Sequence, residues 1–553
     1  MKKVLNVFVS HWGLFIVLAL SFFAILPFFD AGFFPVHDDT QVVRVHEISQ
    51  ALKEGQFPVR WVKDLGYGYG YPLFNFYAPL PYYVGGVLTF FFDALASTKI
   101  MMVLGVVLSG IFMYLLAKEF WGEIGGVISG LFYVYAPYHA LDIYVRGAVG
   151  EYFAIAFTPL LFYGLWRKWV LVGALGFAGI ITSHNLTAMM VAPFIIIAIL
   201  FYCYIAYKNK NLFTIHYSLF TILLGFGLSA FYFLPALFEM QFTNVVSQIG
   251  GNADFRNHFV CIAQLWDSTW GFGGSSPGCL DGLSFKIGKL HIIVSIIALA
   301  GSLFFLKKDK IRSVIILLST FYFLLSIFMT LEVSKPVWEL TSPLAYLQYP
   351  WRFLLLTAFS SSLMAGSLVL FFQEATLQKA VGVVLIAFLM FFNVELFKSH
   401  TGFAVKTEDY TNEEYIKWTT SKISDEYMPK NFQKPKNKDE IVRKKVVVQS
   451  GEGEIIGLVN KTSEITFSLN AKTDVSILAR LAYFPAWKAF VDAKEVEYQT
   501  TNGGLVFDIP AGNHEAQLVF SQTPVERAGN FISVGSVLFL SVILLRMRKE
   551  KTK

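Results

Sequence analysis

Residues 37–83 read HDDTQVVRVHEISQALKEGQFPVRWVKDLGYGYGYPLFNFYAPLPYY and hold the densest polar and aromatic chemistry of an otherwise apolar chain. They follow an apolar run, Trp12–Phe29, that is long enough to span a bilayer. Asp38 and Asp39 open the segment as adjacent carboxylates. Because a carboxylate is costly to bring near lipid, we expect both to lie in water at the membrane surface. Two interpretations remain open, a solvated acidic loop and an active-site base.

Composition places the chain among polytopic membrane proteins. Its 553 residues are 55% hydrophobic, 17% aromatic and only 15% charged, whereas a soluble protein is about a quarter charged. The net charge of +6 comes from short basic clusters between apolar runs, so nucleic acid is not an expected partner. The first apolar run has no small-residue cleavage site, and we expect it to stay in the membrane as an anchor.

The basic clusters set the predicted topology. Placing each cluster in the cytoplasm gives about twelve spanning helices in the plasma membrane, with both termini cytoplasmic. The segments that this arrangement places outside are Asp38–Asp39, Tyr138–Glu151, His184–Asn185, Glu239–Gly288, Tyr349–Arg352 and the chain after Ser399. Because Asp38 and Arg146 are both placed outside, an even number of crossings must lie between them. Leu80–Phe92 is about 13 residues long and too short to span, so we expect it to be an interfacial or re-entrant helix. Lys118–Glu119 becomes a tight cytoplasmic turn.

Three further features accompany this topology. Thr40–Lys53 has apolar residues at helical spacing, and we expect an amphipathic helix along the membrane surface. Glycine and tyrosine alternate over Gly66–Tyr71 without the Lys-Ser/Thr of a phosphate loop, which indicates an aromatic turn at the interface. Cys261 and Cys279 share one outer loop and could pair if it faces an oxidising compartment, while Cys203 lies in an apolar run.

The predicted domains are a membrane domain over 1–398, with its first outer loop at 30–98, an extracytoplasmic mostly-β domain over 399–527, and a final membrane helix with a basic tail over 528–553. Short alternating segments after Lys445, separated by Gly503–Gly504 and Pro510–Asn513, are typical of a small β-sandwich. The β domain shows no catalytic constellation, so we expect a structural or substrate-gating module.

The polar groups predicted to lie outside suit one chemistry, group transfer from a phosphate-linked lipid donor. Asp38 or Asp39 could take a proton from an acceptor hydroxyl or amine. Arginines could grip the phosphate leaving group and stabilise its developing charge. The candidate substrate-binding residues are His37, Arg60, Tyr144, Arg146, Glu151, His184, Asn185 and Arg352. Each of them alone also has a structural explanation, as a membrane anchor or a helix cap.

The motifs resemble a known group of bacterial membrane proteins. Six motifs resemble proteins described as 6-pyruvoyl-tetrahydropterin-synthase-related. They are HDD at His37–Asp39, FPVRW at Phe57–Trp61, GYGYGYPLFNFYAPLPYY at Gly66–Tyr83, YVRGA at Tyr144–Ala148, SHN at Ser183–Asn185 and PWRF at Pro350–Phe353. YFPAWKA at Tyr483–Ala489 and PAGNH at Pro510–His514 resemble the outer domain of YfhO-type membrane proteins. Both groups look like members of the GT-C glycosyltransferase superfamily.

This resemblance implies a polyprenyl-phosphate-linked sugar donor and a catalytic acid in the first outer loop, here Asp38 or Asp39. The acceptor would be an envelope glycan, lipid or protein, and membrane lipid would surround the chain. Arg146, His184 and Arg352 correspond to phosphate or sugar contacts by position. A divalent metal is possible, with His37 and His46 as ligands near two acids, but dispersed histidines do not assign one. The alternatives are a glycolipid-binding or transport protein, and a structural envelope protein acting through its β domain.

Overall fold

The computed structural model describes residues 12–208, 213–306, 308–430 and 432–551. Its longer helices are α1 Trp12–Ile25, α2 Gln41–Lys53, α3 Leu80–Leu88, α4 Ala94–Val134, α5 Val149–Arg167, α6 Val170–Ser183, α7 Asn185–Lys208, α8 Phe213–Phe238, α9 Lys289–Phe305, α10 Lys310–Thr330, α11 Leu354–Gly366, α12 Ala375–Asn393 and α13 Pro524–Lys551. Short helical turns connect them. Nine strands lie between α12 and α13.

The helices have the length and composition of a polytopic membrane protein. Within the described ranges, nine helical stretches are long and apolar enough to cross a membrane, and α6 and α9 are shorter apolar helices. The structure thus confirms a chain of many apolar helices that carries a C-terminal β domain and ends in a further apolar helix. The count of about twelve crossings and the orientation of the termini stay predictions.

Two predicted local features differ from the structure. The turn expected at Lys118–Glu119 is helical, and the chain breaks instead at Gly122. The backbone there has φ 74° and ψ −174°, a conformation that glycine adopts without a side-chain clash. The helix α2 exists as predicted, but its polar side is buried along with its apolar side, since Arg44 and Glu47 are both buried. Protein therefore covers both sides of the helix, and its position along the membrane surface stays a prediction.

Contacts divide the chain into two compact units. Unit 1 comprises residues 1–37, 99–226 and 249–404, and unit 2 comprises residues 38–98, 227–248 and 405–553. Unit 2 therefore combines the first outer loop with the β domain, although about 300 residues separate them in the chain. Composition does not indicate this association, and the predicted boundary at 399 stays a prediction.

The β domain within unit 2 has two antiparallel sheets. The strands are β1 Val446–Ser450, β2 Gly453–Asn460, β3 Glu464–Ala471, β4 Val475–Ala479, β5 Trp487–Val491, β6 Lys494–Val496, β7 Gln499–Thr501, β8 Gly504–Ile509 and β9 Gly512–Phe520. They are ordered β1-β4-β8-β7 and β2-β3-β9-β5-β6. Burial alternates along the central strands, with Ile465, Phe467 and Leu469 of β3 inside, as expected for sheets with one packed face.

A disulfide joins Cys261 to Cys279 in the long loop of unit 1, with 5.7 Å between their Cα atoms. This distance lies in the usual range for disulfides, and Cys203 remains a free thiol in α7. The pairing that the sequence left open is therefore formed in the structure.

We expect one reactive thiol in the denatured chain when it is purified without reductant, because only Cys203 is free. Mass spectrometry after maleimide labelling counts the adducts. Reduction before labelling serves as the control and should give adducts on all 3 cysteines. Three adducts without reductant would show that Cys261 and Cys279 do not pair.

Candidate active site

The acid pair of unit 2 lies directly before the first turn of α2. The backbone carbonyl of Asp38 accepts hydrogen bonds from the Thr40 N–H at 2.7 Å and from the Gln41 side-chain amide at 3.1 Å. These bonds fix the turn and hold both carboxyl groups, which are half-buried, beside the helix N-terminus. The positive end of the helix dipole favours negative charge at this place.

Asp39 has the chemistry of a base that works near neutral pH. The hydroxyl of Tyr415 donates a hydrogen bond to its Oδ2 at 3.2 Å, and the Tyr415 ring packs edge-on against Tyr410. Burial raises the pKa of Asp39 to about 6, against the opposing effect of the Tyr415 hydrogen bond. A carboxylate with a pKa close to the working pH can both accept a proton and release it again.

Arg44 supplies a fixed cation one turn into α2. Its guanidinium carbon lies 3.8 Å from the centre of the Tyr77 ring, and its Nη2 donates to Ser424 Oγ at 2.9 Å. The Tyr71 hydroxyl donates a hydrogen bond to the Ser424 carbonyl at 2.8 Å, which holds Ser424 in place beside Arg44. Arg44 is not among the predicted site residues, although its charge among the valines of a predicted helix was a usable signal.

Arg60, predicted to bind substrate, lies in a buried network of unit 2. Its Nη1 donates to Asn75 Oδ1 at 2.6 Å, and its Nε lies 3.8 Å from Glu526 Oε1. Asn75 in turn donates to Glu526 at 2.6 Å, and Glu239 accepts a hydrogen bond from Thr523. Burial raises the pKa of Glu239 to about 7. The network joins the first outer loop to α13, so a substrate contact for Arg60 stays a prediction.

The second charged cluster belongs to unit 1 and centres on Glu151. Arg146 Nη1 lies 2.9 Å from Glu151 Oε2, Arg352 Nε lies 3.6 Å from the same oxygen, and the Tyr138 hydroxyl donates to Oε1 at 2.6 Å. Asp142 pairs with Arg146 one turn away. The positive charges of two buried arginines are thus matched by two buried carboxylates. The sequence analysis missed Asp142 and Tyr138.

The backbone around Arg146 explains how these groups meet. Residues Asp142–Arg146 form a π-helical turn that ends at Gly147 in the left-handed conformation, with φ 66°. The π-turn and the left-handed glycine separate this stretch from α5, and Arg146 lies 2.9 Å from Glu151 in the first turn of α5. The Arg146 guanidinium also lies 4.7 Å from the centre of the Trp351 ring.

Three other predicted residues of unit 1 have different surroundings. His184 Nδ1 lies 2.8 Å from Thr187 Oγ1, and burial lowers the pKa of His184 to about 3, although Glu151 opposes this effect. His184 is therefore neutral at pH 7. Asn185 is exposed and its side-chain oxygen accepts from the Leu186 N–H at 2.9 Å. Tyr144 is buried and donates to the Ala24 carbonyl at 2.6 Å, which anchors it in the core.

His37 gives little support to a metal site. It is exposed, and its Nε2 lies 3.0 Å from the Phe272 carbonyl oxygen. His46 sits in α2, where burial lowers its pKa. Across the described ranges, no group of three or more histidine, cysteine, aspartate or glutamate side chains could hold a metal ion. The structure therefore assigns no ligand set to the divalent metal that the sequence left open.

Comparisons with known proteins give limited similarity. No protein-family model matches the chain. An uncharacterised protein of Lactococcus lactis subsp. cremoris (strain MG1363) is 26% identical over 261 residues, which cover 44% of this chain and 42% of that protein. The match thus spans less than half the length of the curated relative.

Solved structures with partial similarity include two of the Archaeoglobus fulgidus oligosaccharyltransferase. The apo form gives a TM-score of 0.45 at 12% identity, covering 79% of this chain and 62% of the enzyme. The form tethered to an acceptor peptide gives 0.44 at 12% identity, covering 70% and 55%. ArnT from Cupriavidus metallidurans bound to undecaprenyl phosphate gives 0.37 at 13% identity, covering 70% and 64%. TM-scores below 0.5 do not establish a shared fold or activity.

Replacing Glu151 with alanine should destabilise unit 1 by about 3–5 kcal/mol, because it leaves two buried arginines facing Asp142 alone. Glu374→Ala is the matched control, because Glu374 is an exposed carboxylate of unit 1 whose side chain makes no capping hydrogen bond, and its effect should stay within about 0.5 kcal/mol. Denaturation of the purified chain in detergent measures both. Equal stability of the two variants would mean that the Glu151 cluster does not hold unit 1 together.

Proposed function

We propose that the chain is a membrane glycosyltransferase of the GT-C type, which transfers a sugar from a polyprenyl-phosphate-linked donor to an envelope acceptor. The observation that carries the proposal is the acid pair of unit 2. Asp39 has a pKa near 6 and lies beside Asp38 before a helix N-terminus, with the fixed cation Arg44 on the same helix. The resemblance of the HDD segment and of the glycine–tyrosine motif to that superfamily supports the same reaction.

The proposed reaction is a displacement at the sugar carbon that bears the phosphate. One of the two aspartates accepts the proton of the acceptor hydroxyl or amine, whose oxygen or nitrogen then forms a bond to that carbon. The bond from the carbon to the phosphate oxygen breaks, and the leaving polyprenyl phosphate keeps the electron pair. Arg146 and Arg352 are candidate phosphate contacts, a role based on their charge and on the resemblance.

The disulfide supports an extracytoplasmic site. Disulfides persist in oxidising compartments and are rare in the cytosol, so the loop that carries Cys261 and Cys279 belongs outside in the proposal. The topology predicted from the basic clusters places the same loop, Glu239–Gly288, outside. The β domain and the reaction are proposed to lie on that face of the plasma membrane.

Either Asp38→Asn or Asp39→Asn should lower sugar turnover by about a hundredfold or more, because the variant loses its general base. The substrate is a polyprenyl-phosphate-linked sugar, and released polyprenyl phosphate is measured with variants that accumulate normally. Asp30→Asn provides a control carboxylate in the same outer loop that we give no role. Full turnover by both aspartate variants would show that neither carboxylate is the base, whereas a parent chain that releases no polyprenyl phosphate would favour glycolipid binding or transport over catalysis.

The pH profile of turnover should rise with pH through about 6 and then level off. Only the ionised carboxylate accepts a proton, and burial places the pKa of Asp39 at about 6. Tyr415→Phe removes the hydrogen bond that lowers this pKa, so the rising limb should move to higher pH. An unchanged pH profile in Tyr415→Phe would mean that the group whose ionisation controls turnover is not Asp39.

A further inference from the structure

The five-stranded sheet of the β domain carries a groove on its outer face. Along β3 the odd-numbered side chains from Ile465 to Ala471 are buried, so Ser468 and Asn470 point the other way, towards solvent. The space in the groove is about 520 Å³, part of it open to solvent, which is enough for a small molecule. Its lining residues are Ile456 of β2, Ser468, Leu469 and Asn470 of β3, Asp492 after β5, and Asn513, His514 and Glu515 of β9.

Strand pairing sets the outward side chains of the groove in two rows. In the first row Ser468 lies opposite Ile456 on one side and opposite Glu515 on the other. In the second row Asn470 lies opposite Asn513. Side chains at directly opposite positions have Cβ atoms about 5 Å apart, so one ligand can contact several of them at once.

The charged side chains of the groove are held by bonds to one another. His514 Nδ1 lies 2.7 Å from Asp492 Oδ2, and Asp492 Oδ1 accepts a hydrogen bond from the Glu515 N–H at 3.0 Å. The Ser468 hydroxyl donates to Glu515 Oε1 at 2.7 Å. Asp492 and Ala493 form the two-residue turn between β5 and β6, with φ of 48° and 62° as in type I′ hairpins. This side of the groove is therefore fixed before any ligand binds.

Two amides are the unused hydrogen-bonding groups of the groove. Asn470 and Asn513 are both exposed, and among the residues that the structure describes neither side chain has a hydrogen-bond partner. Each amide can donate and accept hydrogen bonds at the same time. Ile456 lines the β2 side of the groove with 51% of its surface exposed. The groove therefore combines free donors and acceptors with one apolar surface.

The charges in the groove select against an anionic ligand. The lining includes the Asp492 and Glu515 carboxylates and, among the described residues, no lysine or arginine. A phosphate would meet negative charge without the cation that normally binds it. A sugar hydroxyl can donate to a carboxylate or amide oxygen and accept from an amide N–H, and the C–H face of a sugar ring can pack on an exposed isoleucine. The ligand class that matches is a neutral oligosaccharide.

We propose that this groove of the β domain binds a neutral oligosaccharide. The Asn470 and Asn513 amides hydrogen-bond the hydroxyl groups of the sugar, and Ile456 packs against the face of a ring. The β domain then has a binding role of its own, in addition to the structural or gating role expected from its sequence. This site goes beyond the proposed transfer reaction and does not depend on it.

The test titrates the full-length chain with neutral tetrasaccharides of glucose, mannose and N-acetylglucosamine. The chain is kept in a phosphocholine detergent, which has no sugar headgroup, and calorimetry gives the dissociation constants. The tetrasaccharide that the parent chain binds most tightly is used for the variants. Asn470→Ala and Asn513→Ala should each weaken its binding by about tenfold, because each variant loses a hydrogen bond to the ligand. Both side chains are exposed, so both variants should fold.

Asn502→Ala is the matched control, because Asn502 is an exposed asparagine in the turn between β7 and β8 of the other sheet. Its dissociation constant should stay within about twofold of the parent value. The glucosamine tetrasaccharide carries positive charge and tests attraction to the carboxylates alone. It should bind no more tightly than the N-acetylglucosamine tetrasaccharide.

Any of three results would overturn the groove as an oligosaccharide site. The first is that none of the neutral tetrasaccharides binds, and the second is that the two groove variants bind as tightly as the parent chain. The third is tighter binding of the glucosamine tetrasaccharide that added salt weakens, which would indicate attraction between charges. None of these results bears on the acid pair, so the release of polyprenyl phosphate tests the proposed function separately.

Discussion

The structure depends on one constraint, that charges inside an apolar chain must be paired. Taking an ion out of water costs several kcal/mol, and only a well-placed opposite charge with further hydrogen bonds offsets that cost. Unit 1 meets the constraint with Arg146, Arg352 and Asp142 around Glu151. In unit 2 the Arg60–Glu526 pair does the same beside α13. Each network ties together residues that are far apart in the chain, and so fixes the fold.

Within unit 2, polar contacts bind the first outer loop to the segment that leads into the β domain. Arg44 binds Ser424, and Asp39 binds Tyr415. Lys445, at the start of the β domain, donates to the carbonyls of Gly68 and Tyr69 at 2.8 and 3.0 Å. The glycine–tyrosine segment is thus a buried anchoring loop in this unit. Burial lowers the pKa of Lys445 to about 7, so this anchor responds to pH near neutrality.

The sequence predicted the helices well because membrane-length apolar runs are a strong local signal. The predicted span Trp12–Phe29 begins at the same residue as α1 and ends a few residues after it, since the apolar run sets its extent. Alternation is a weaker guide in β2, whose register with β3 shifts between Ile456 and Val459, because such an irregularity interrupts the period of two. The sequence placed a turn at Lys118–Glu119 on charge, whereas the backbone break occurs at Gly122.

The sequence points to candidate site residues only where the chemistry is local. Asp38 and Asp39 stood out as adjacent acids after an apolar run, and Glu151 and Arg146 stood out as charges in an apolar region. Tyr415 carried no signal in the sequence, because its importance comes from a hydrogen bond to Asp39, 376 positions earlier in the chain. Such pairs depend on tertiary structure, which periodicity and composition do not encode.

The energetics of Asp39 connect stability to function. Its pKa is higher in the folded chain than the usual 3.8, so folding disfavours its ionised form. The folded state holds a proton between about pH 4 and 6 that the unfolded chain releases, so this group's contribution to stability falls as pH rises through that window. At neutral pH the folded chain therefore holds Asp39 in its ionised form, which lowers the free energy of unfolding. Carboxylates with perturbed pKa values are found more often at active sites than in solvated loops, and this is why the proposed function places its base at the acid pair.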